Sequence, residues 1–249
     1  MDYAAALTEQ NRLLADVLFS ADPATPVPTC PGWTLLQLLR HVGRGHRWAA
    51  QIIRDRPAEI PDPRHVPDGR PPDDPAGARD WLIASARTVL DAVDEAGHDT
   101  VVWTFLGPRP ARWWVRRRLH EATVHRADAT LAIGGNYVLS ADLAADGIDE
   151  WFDRLVVELA EAPTAAIDDG ATIVLHPTDP GMDSGSWLIR GLPKGFVWSR
   201  GGAMEPARTR LTGSATELFL ALVRRSTVDS SHLEGEADPW QRWLAGTPL

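Results

Sequence analysis

Two stretches of the chain carry residues whose types and spacing could do chemistry. The first, TCPGWTLLQLLRHVG, holds the only cysteine, Cys30, and a histidine eleven positions later, His41. The second, RRRLHEATVHRADA, holds Glu121 and His125, four residues apart. A thiol near an imidazole suggests a nucleophile, whereas a carboxylate and an imidazole one helical turn apart can hold a divalent metal ion.

A metal at the Glu121 and His125 pair needs a third ligand from another helix, and the candidates are His41 and His46. On a helical wheel, Glu121 and His125 flank the apolar stripe, as residues at the edge of a cavity do. His46 lies nearer to the apolar centre of its helix than His41, so periodicity alone slightly favours His46. Such pairs are also common on helices that bind no metal, and this alternative stays open.

We interpret Cys30 as a structural residue. If Thr34 caps the following helix, His41 lies about 10 Å along the helix axis, and Cys30 stands further back, beyond a Pro-Gly turn. Cys30 could reach a metal held by His41 only if the entering chain folded back sharply. Free cysteines are commonly small buried apolar residues, so a reacting thiol would come from outside the chain. No catalytic residue beyond the metal ligands is then expected.

The composition excludes several classes of protein. The chain has 249 residues, a formal net charge of −9 and one cysteine. An acidic chain without a long basic run binds nucleic acid and anionic membranes poorly, and one cysteine permits no internal disulfide. The first segment is amphipathic rather than a signal peptide, and no apolar run approaches the ~20 residues of a membrane span. We therefore expect a cytoplasmic protein acting on a small molecule, with an oligomeric state that the sequence leaves unknown.

Apolar residues with helical spacing predict an N-terminal region of helices. These helices are expected over residues 3–19, 34–54, 78–96, 111–133 and 140–160. A long loop rich in proline and aspartate separates the second helix from the third. The pattern predicts a helical bundle that ends near residue 162.

Beyond the helical region the sequence pattern changes. Short β-branched or aromatic segments bounded by glycine and proline predict strands at 171–177, 186–192, 195–200 and 207–213. Ser214 opens a further helix through a capping box, and the tail with Trp240 and Trp243 is expected to pack back on this region. We predict a helical domain at 1–162 and a small α+β domain at 163–249.

The two chemical stretches together resemble the mycothiol-dependent maleylpyruvate isomerase family. In that family a Pro-Gly-Trp turn opens a helix that bears a metal-binding histidine, and a later helix carries Glu-x-x-x-His followed by Arg-x-Asp. Here the turn runs from Pro31 to Trp33, the histidine is His41, and the later motif runs from Glu121 to Asp128. The resemblance implies a DinB-like four-helix bundle followed by a sterol-carrier-like α+β domain.

The resemblance also implies a ligand set and a cofactor. It assigns a divalent metal, usually zinc, to His41, Glu121 and His125, and leaves His46 as a core or supporting histidine. Asp128 can then orient a ligand or pair with an arginine. The implied cofactor is the small thiol mycothiol, which is typical of GC-rich actinobacteria. A bias to arginine, with one lysine among 25 basic residues, agrees with such a genome.

The implied reaction is attack of a metal-activated thiolate on an electrophilic small-molecule substrate. The sulfur can add to a double bond and leave again, as in an isomerase, or stay attached, as in an S-transferase. Two alternatives remain at this point. One is a metal-dependent hydrolase that uses bound water, and the other is a non-catalytic protein that binds a small ligand.

Overall fold

The computed structural model describes residues 1–160, 166–182, 185–202, 205–226 and 232–247. The packing of these residues divides the chain into two compact units, Met1–Tyr137 and Val138–Leu249. The boundary expected between residues 162 and 163 lies outside the described residues. No helix within the described ranges is long and apolar enough to cross a membrane.

The four long helices of the first unit form the predicted four-helix bundle. They are α1 (Tyr3–Leu18), α2 (Leu35–Asp55), α3 (Pro75–Ala96) and α4 (Trp113–Ala132). α1 and α2 each pack on both α3 and α4. Their apolar faces meet in a core in which Leu14, Leu38, Val42 and Leu82 are fully buried. The spacing of apolar residues therefore predicted all four helices correctly.

The ends of the bundle helices follow local capping chemistry. Thr34 caps α2, and it does so in a capping box in which Thr34 and Gln37 exchange side-chain and backbone hydrogen bonds. α3 begins three residues before the predicted position of 78, because the Asp74 carboxylate accepts from the backbone of Gly77 and Pro75 fits the first helical position.

Short elements connect these helices. The loop between α2 and α3 contains a single 3₁₀ turn, Pro63–His65, and the indole N–H of Trp48 donates to the Pro61 carbonyl at 2.7 Å. A two-residue antiparallel ribbon, β1 (Val101–Val102) with β2 (Arg109–Pro110), precedes α4. The loop between α2 and α3 is thus attached to the bundle by the side chain of Trp48 on α2.

Helix α4 differs from its predicted single apolar stripe. It is buried on nearly all sides. Its charged or polar residues with less than a tenth of their surface exposed are Arg117, Arg118, His120, Thr123, His125, Arg126, Asp128 and Thr130. The cause is its position in the bundle, where it contacts all three other helices. Buried charges need partners, so α4 is the helix on which a polar site is expected.

The second unit is the predicted α+β region. Its helices are α5 (Ala141–Glu158), α6 (Ala215–Leu222) and α7 (Asp238–Gly246). Its strands are β3 (Thr172–Pro177), β4 (Trp187–Gly191), β5 (Phe196–Arg200), β6 (Thr209–Gly213) and β7 (Leu233–Gly235). They form one sheet in the order β5-β4-β3-β6-β7, in which only β3 and β6 are parallel.

Helix α5 packs with this sheet, whereas its sequence was assigned to the bundle. Its Phe152 ring lies 5.8 Å from the ring of Trp243 on α7 and 6.4 Å from that of Phe196 on β5. The 3.6-residue period identifies a helix but not the surface that its apolar face meets. The same ring contacts confirm that the tail packs back through Trp243. The three-residue strand β7 was not predicted, because it is too short for alternation to be visible.

Candidate metal centre

The turn that precedes α2 folds back over the start of the helix. The Val27 amide donates to the Trp33 carbonyl at 2.9 Å, and the Trp33 amide donates to the Cys30 carbonyl at 3.0 Å. Gly32 makes this reversal at φ +81°, a backbone conformation that glycine adopts without steric cost. The turn thereby carries Cys30 and Trp33 back toward the interface of α2 and α4.

Three of the predicted site residues meet at that interface. His41 lies on α2, and Glu121 and His125 lie one turn apart on α4. The Oε2 atom of Glu121 is 3.6 Å from Nε2 of His41 and 3.4 Å from Nε2 of His125. One donor atom from each residue lies within 4.8 Å of the others.

This donor set fits a divalent ion such as zinc. Zinc bonds to nitrogen and oxygen of about 2.0–2.1 Å imply separations of about 3.3 Å between ligand atoms at a tetrahedral centre. The measured separations from Oε2 of Glu121 are close to that value. Two imidazoles and one carboxylate are also the ligands of catalytic zinc sites, which keep a position open.

The site is open on one side and closed on the other. The His41 side chain is 41% exposed, whereas that of His125 is 11% exposed. The indole of Trp33 lies 4.9 Å from the ring of His41 and 6.4 Å from that of His125, nearly parallel to the latter. A ligand would therefore enter beside His41, next to the Trp33 ring.

His46 is not part of this cluster. It is fully buried, and its Nδ1 accepts a hydrogen bond from Nε of Arg118 at 3.0 Å. The helical wheel slightly favoured His46 over His41 as the third ligand, and this prediction is wrong, because His46 does not face Glu121 and His125. Periodicity ranks residues by burial, but a residue that must face an open site belongs at the edge of the apolar stripe rather than at its centre.

Asp128 fixes the orientation of His125. The carboxylate is fully buried, and its Oδ2 lies 2.8 Å from Nδ1 of His125. Its Oδ1 accepts a hydrogen bond of 2.6 Å from the Thr29 hydroxyl. Nδ1 therefore carries a proton for Asp128, and Nε2 turns toward Glu121. Of the two roles left open for Asp128, the structure shows the orientation of a candidate ligand.

The two histidines have opposite shifts in pKa. Burial lowers the pKa of His41, and hydrogen bonding to Glu121 only partly opposes this shift. Burial also disfavours charge on His125, but Asp128, Cys30 and Glu121 outweigh it and raise its pKa to about 10. Near neutral pH His41 is therefore neutral, and His125 is a cation whose Nε2 proton faces Glu121.

Glu121 is an anion despite its burial. Burial by itself would raise the pKa of its carboxyl, but Arg117, His125, His41 and Arg118 together hold this pKa well below its usual range. The carboxylate forms a close ion pair with Arg117, one turn earlier on α4. The site thus has an anionic ligand ready for a cation, with a proton on His125 that a metal ion would have to displace.

Cys30 lies closer to the site than the sequence argument expected. Its Sγ donates to Oδ2 of Asp128 at 3.4 Å and belongs to a second close group with His125 and Asp128. The difference arises because the turn at Gly32 does fold the chain back. The thiol contacts the carboxylate on the Nδ1 side of His125, which is a supporting position behind a candidate ligand.

Three arginines of α2 and α4 have hydrogen-bond partners within the first unit. Arg44 donates to the Gly69 carbonyl, and Arg126 donates to Gln10. Arg118 bonds to His46. The role of Arg117 was missed altogether, although its spacing of four residues from Glu121 is the usual signal of an ion pair on a helix.

Comparisons with known proteins agree across both units. Residues 4–130 match the family model described as the mycothiol maleylpyruvate isomerase N-terminal domain, and residues 142–242 match the model of the C-terminal domain of the same family. These bounds leave α5 outside the N-terminal match, as the packing does. No curated protein shows significant sequence similarity to the chain.

Two solved structures share the fold. One is a crystal structure of the mycothiol-dependent maleylpyruvate isomerase, with 14% identity and a TM-score of 0.60, covering 93% of this chain and 90% of that chain. The other is a histidine-to-alanine mutant of a mycothiol-dependent maleylpyruvate isomerase, with 14% identity, the same coverage and a TM-score of 0.58. Since the two family models together span most of its length, the chain belongs to the mycothiol-dependent maleylpyruvate isomerase family, a family of enzymes.

Proposed function

We propose that this protein is a metal-dependent enzyme that uses mycothiol as its thiol cofactor, as an isomerase or an S-transferase. Its metal, zinc in this proposal, is held by His41, Glu121 and His125. The observation that carries the proposal is the convergence of three donor atoms within 4.8 Å at a site that opens to solvent beside His41. Family membership supports the choice of mycothiol as the thiol.

The metal would supply one chemical function there, which is to lower the pKa of a thiol at the open position so that it reacts as a thiolate at neutral pH. The protein residues prepare the site for this function. Asp128 keeps the proton on Nδ1 of His125, so that only Nε2 is available as a ligand. The Nε2 proton must leave when the metal binds, which makes binding pH-dependent.

The positive charge beside the site favours an anionic thiol over a neutral one. Arg117 forms an ion pair with Glu121, and Nη1 of Arg118 lies 4.0 Å from Oε2 of the same carboxylate. Both guanidinium groups are almost entirely buried, so their field is weakly screened. The Trp33 ring covers part of the open side and restricts access of water.

The thiol chemistry requires no protein nucleophile. In the isomerase, the sulfur adds to an activated carbon-carbon double bond, the resulting single bond rotates, and the sulfur leaves with the isomerised double bond restored. In the S-transferase, the sulfur displaces a leaving group or adds to the electrophile and stays attached. The thiol is regenerated only in the first case, so product analysis separates the two reactions.

The test is turnover of the metal-loaded protein with and without mycothiol. Maleylpyruvate is the first substrate to assay because the family is named for it, and a set of other electrophiles follows. We expect turnover that needs both the metal and the thiol and that is lost in Glu121→Gln. Turnover that needs the metal but not the thiol would identify a hydrolase instead, and a protein without bound metal would favour a ligand-binding role.

A further inference from the structure

The two carboxylate oxygens of Glu121 have different partners. Oε1 forms a close ion pair with Nη2 of Arg117. Oε2 faces the two imidazoles, at 3.6 Å from His41 and 3.4 Å from His125. Arg117 is only 7% exposed, so this ion pair is confined inside the bundle. Arg117 therefore holds Glu121 through Oε1, and Oε2 faces the candidate metal site.

A second arginine is fixed beside the same carboxylate. Nε of Arg118 donates to Nδ1 of His46 at 3.0 Å, and its Nη1 lies 4.0 Å from Oε2 of Glu121. The guanidinium occupies space that exists because residue 45 is glycine. A Cβ atom at Gly45 would lie 2.6 Å from Nη2 of Arg118, which is too close for any real contact.

The anchoring has a consequence for coordination. A carboxylate can bind a metal ion through one oxygen or through both. Binding through both oxygens occupies an extra position around the metal, whereas binding through one leaves that position for water or a thiol. An oxygen that is already paired with a buried guanidinium is a poorer ligand, because the guanidinium occupies one of its lone pairs and repels a metal cation.

We propose that Arg117 and Arg118 are positioning residues that keep Glu121 a ligand through Oε2 alone, and so keep a coordination position open for the thiol. Arg117 holds Oε1 away from the metal position. Arg118, held by His46 in the space at Gly45, restricts rotation of the carboxylate on the other side. The inference rests on the metal site of the proposed function, and its test separates failure of one from failure of the other.

The test uses the full-length protein loaded with cobalt(II) in place of zinc. Four-coordinate cobalt(II) absorbs visible light strongly, and five- or six-coordinate cobalt(II) absorbs weakly. We expect strong absorption in the wild-type protein, with a further change on adding mycothiol. In Arg117→Met, Oε1 is released, Glu121 binds through both oxygens, the absorption falls, and mycothiol binds about tenfold more weakly or worse.

Two further variants keep the test decisive. Arg126→Met removes an equally buried arginine of α4 that bonds to Gln10, and we expect its cobalt spectrum to match the wild type. Gly45→Ala displaces Arg118 without deleting a charge, and alanine favours the helix more than glycine does. We expect an intermediate fall in absorption, so this variant carries the test if Arg117→Met does not fold.

The outcomes are distinct. Wild-type spectra in both Arg117→Met and Gly45→Ala, with unchanged mycothiol affinity, would overturn the positioning role. A lowered melting temperature with an unchanged cobalt spectrum in both would have the same meaning, because it would leave the arginines with a structural role only. A wild-type protein that binds no cobalt would overturn the metal site itself, and the inference with it.

Discussion

The two sides of the candidate site are built differently. On the α4 side, His125 is buried, bonded to Asp128 and supported through Thr29 and Cys30. On the α2 side, His41 is two-fifths exposed, and its ring packs against that of Trp33. The comparison indicates that α4 presents a rigid half of the site, whereas His41 completes it at the edge where ligands enter.

The largest effects should come from removing ligands, and they test whether the two sides hold one metal. We expect His41→Ala, Glu121→Gln and His125→Ala each to weaken metal binding by more than about a hundredfold. This exceeds the loss in metal affinity that follows when only a hydrogen-bond partner of a ligand is changed. Bound metal after dialysis against a competing chelator measures this. If the Glu121 and His125 variants kept all of their bound metal, the assignment of these residues as ligands would be wrong. Loss of metal in His46→Ala but not in His41→Ala would instead favour His46 as the third ligand.

The same variants should differ in the stability of the metal-free protein. His125→Ala leaves the buried Asp128 carboxylate without its imidazole, which we expect to cost about 3 kcal/mol in the free energy of unfolding. His41→Ala removes a partly exposed side chain and should cost about 1 kcal/mol or less. Urea unfolding of the metal-free proteins measures both values. Equal losses in the two variants would contradict the contrast between a rigid and an open side.

A smaller loss should follow from changing the support of His125. Asp128→Asn removes the negative charge that holds the Nδ1 proton, and we expect metal affinity to fall by about 10- to 100-fold. Thr29→Ala removes one hydrogen bond to the same carboxylate and serves as the milder comparison. An Asp128→Asn protein with wild-type metal affinity would show that the orientation of His125 does not depend on this contact.

The opposite pKa shifts of the two histidines predict opposite pH dependences in the metal-free protein. The folded-state pKa of His125 is raised from its usual 6.5 to about 10, so its contribution to stability is complete below pH 6.5 and is lost as pH rises through 10. The pKa of His41 is lowered, so protonation of the unfolded chain reduces stability as pH falls below 6.5.

Replacing each histidine in turn isolates these dependences. Unfolding free energies measured from pH 5 to pH 10 should lose the alkaline decline in His125→Asn and part of the acidic decline in His41→Asn. The same alkaline decline in wild type and His125→Asn would contradict the raised pKa.

The smallest effect is expected at Cys30. Serine can also donate a hydrogen bond to Asp128, so Cys30→Ser should fold, lose at most about tenfold in metal affinity and keep most of its thiol-dependent turnover. Metal affinity and turnover are measured on the same preparation. If metal and fold are retained but turnover is abolished, Cys30 is the nucleophile and an external thiol is not.

The sequence predicted the bundle well because its signals are local. The capping box at Thr34 and the apolar period of α2 depend only on residues a few positions apart, and α2 and α4 both lie within two residues of their predicted bounds. The pairing of Glu121 with His125 is local in the same way, because both lie on one turn of α4.

What the sequence could not predict depends on contacts between distant residues. The choice of His41 over His46 depends on which face of α2 meets α4, and the position of Cys30 depends on the backbone at Gly32. The place of α5 beside the sheet depends on aromatic contacts with Phe196 and Trp243, which are remote in the chain. The family resemblance supplied His41 because it carries such long-range information.

The most direct test of the central claim is X-ray absorption at the zinc edge, measured on the zinc-loaded protein before and after mycothiol is added. We expect only nitrogen and oxygen neighbours before addition and one sulfur at about 2.3 Å afterwards, in the wild type and in Cys30→Ser alike. A sulfur neighbour in the absence of mycothiol would identify Cys30 as a ligand. No sulfur neighbour after saturation with mycothiol would contradict activation of an external thiol at this site.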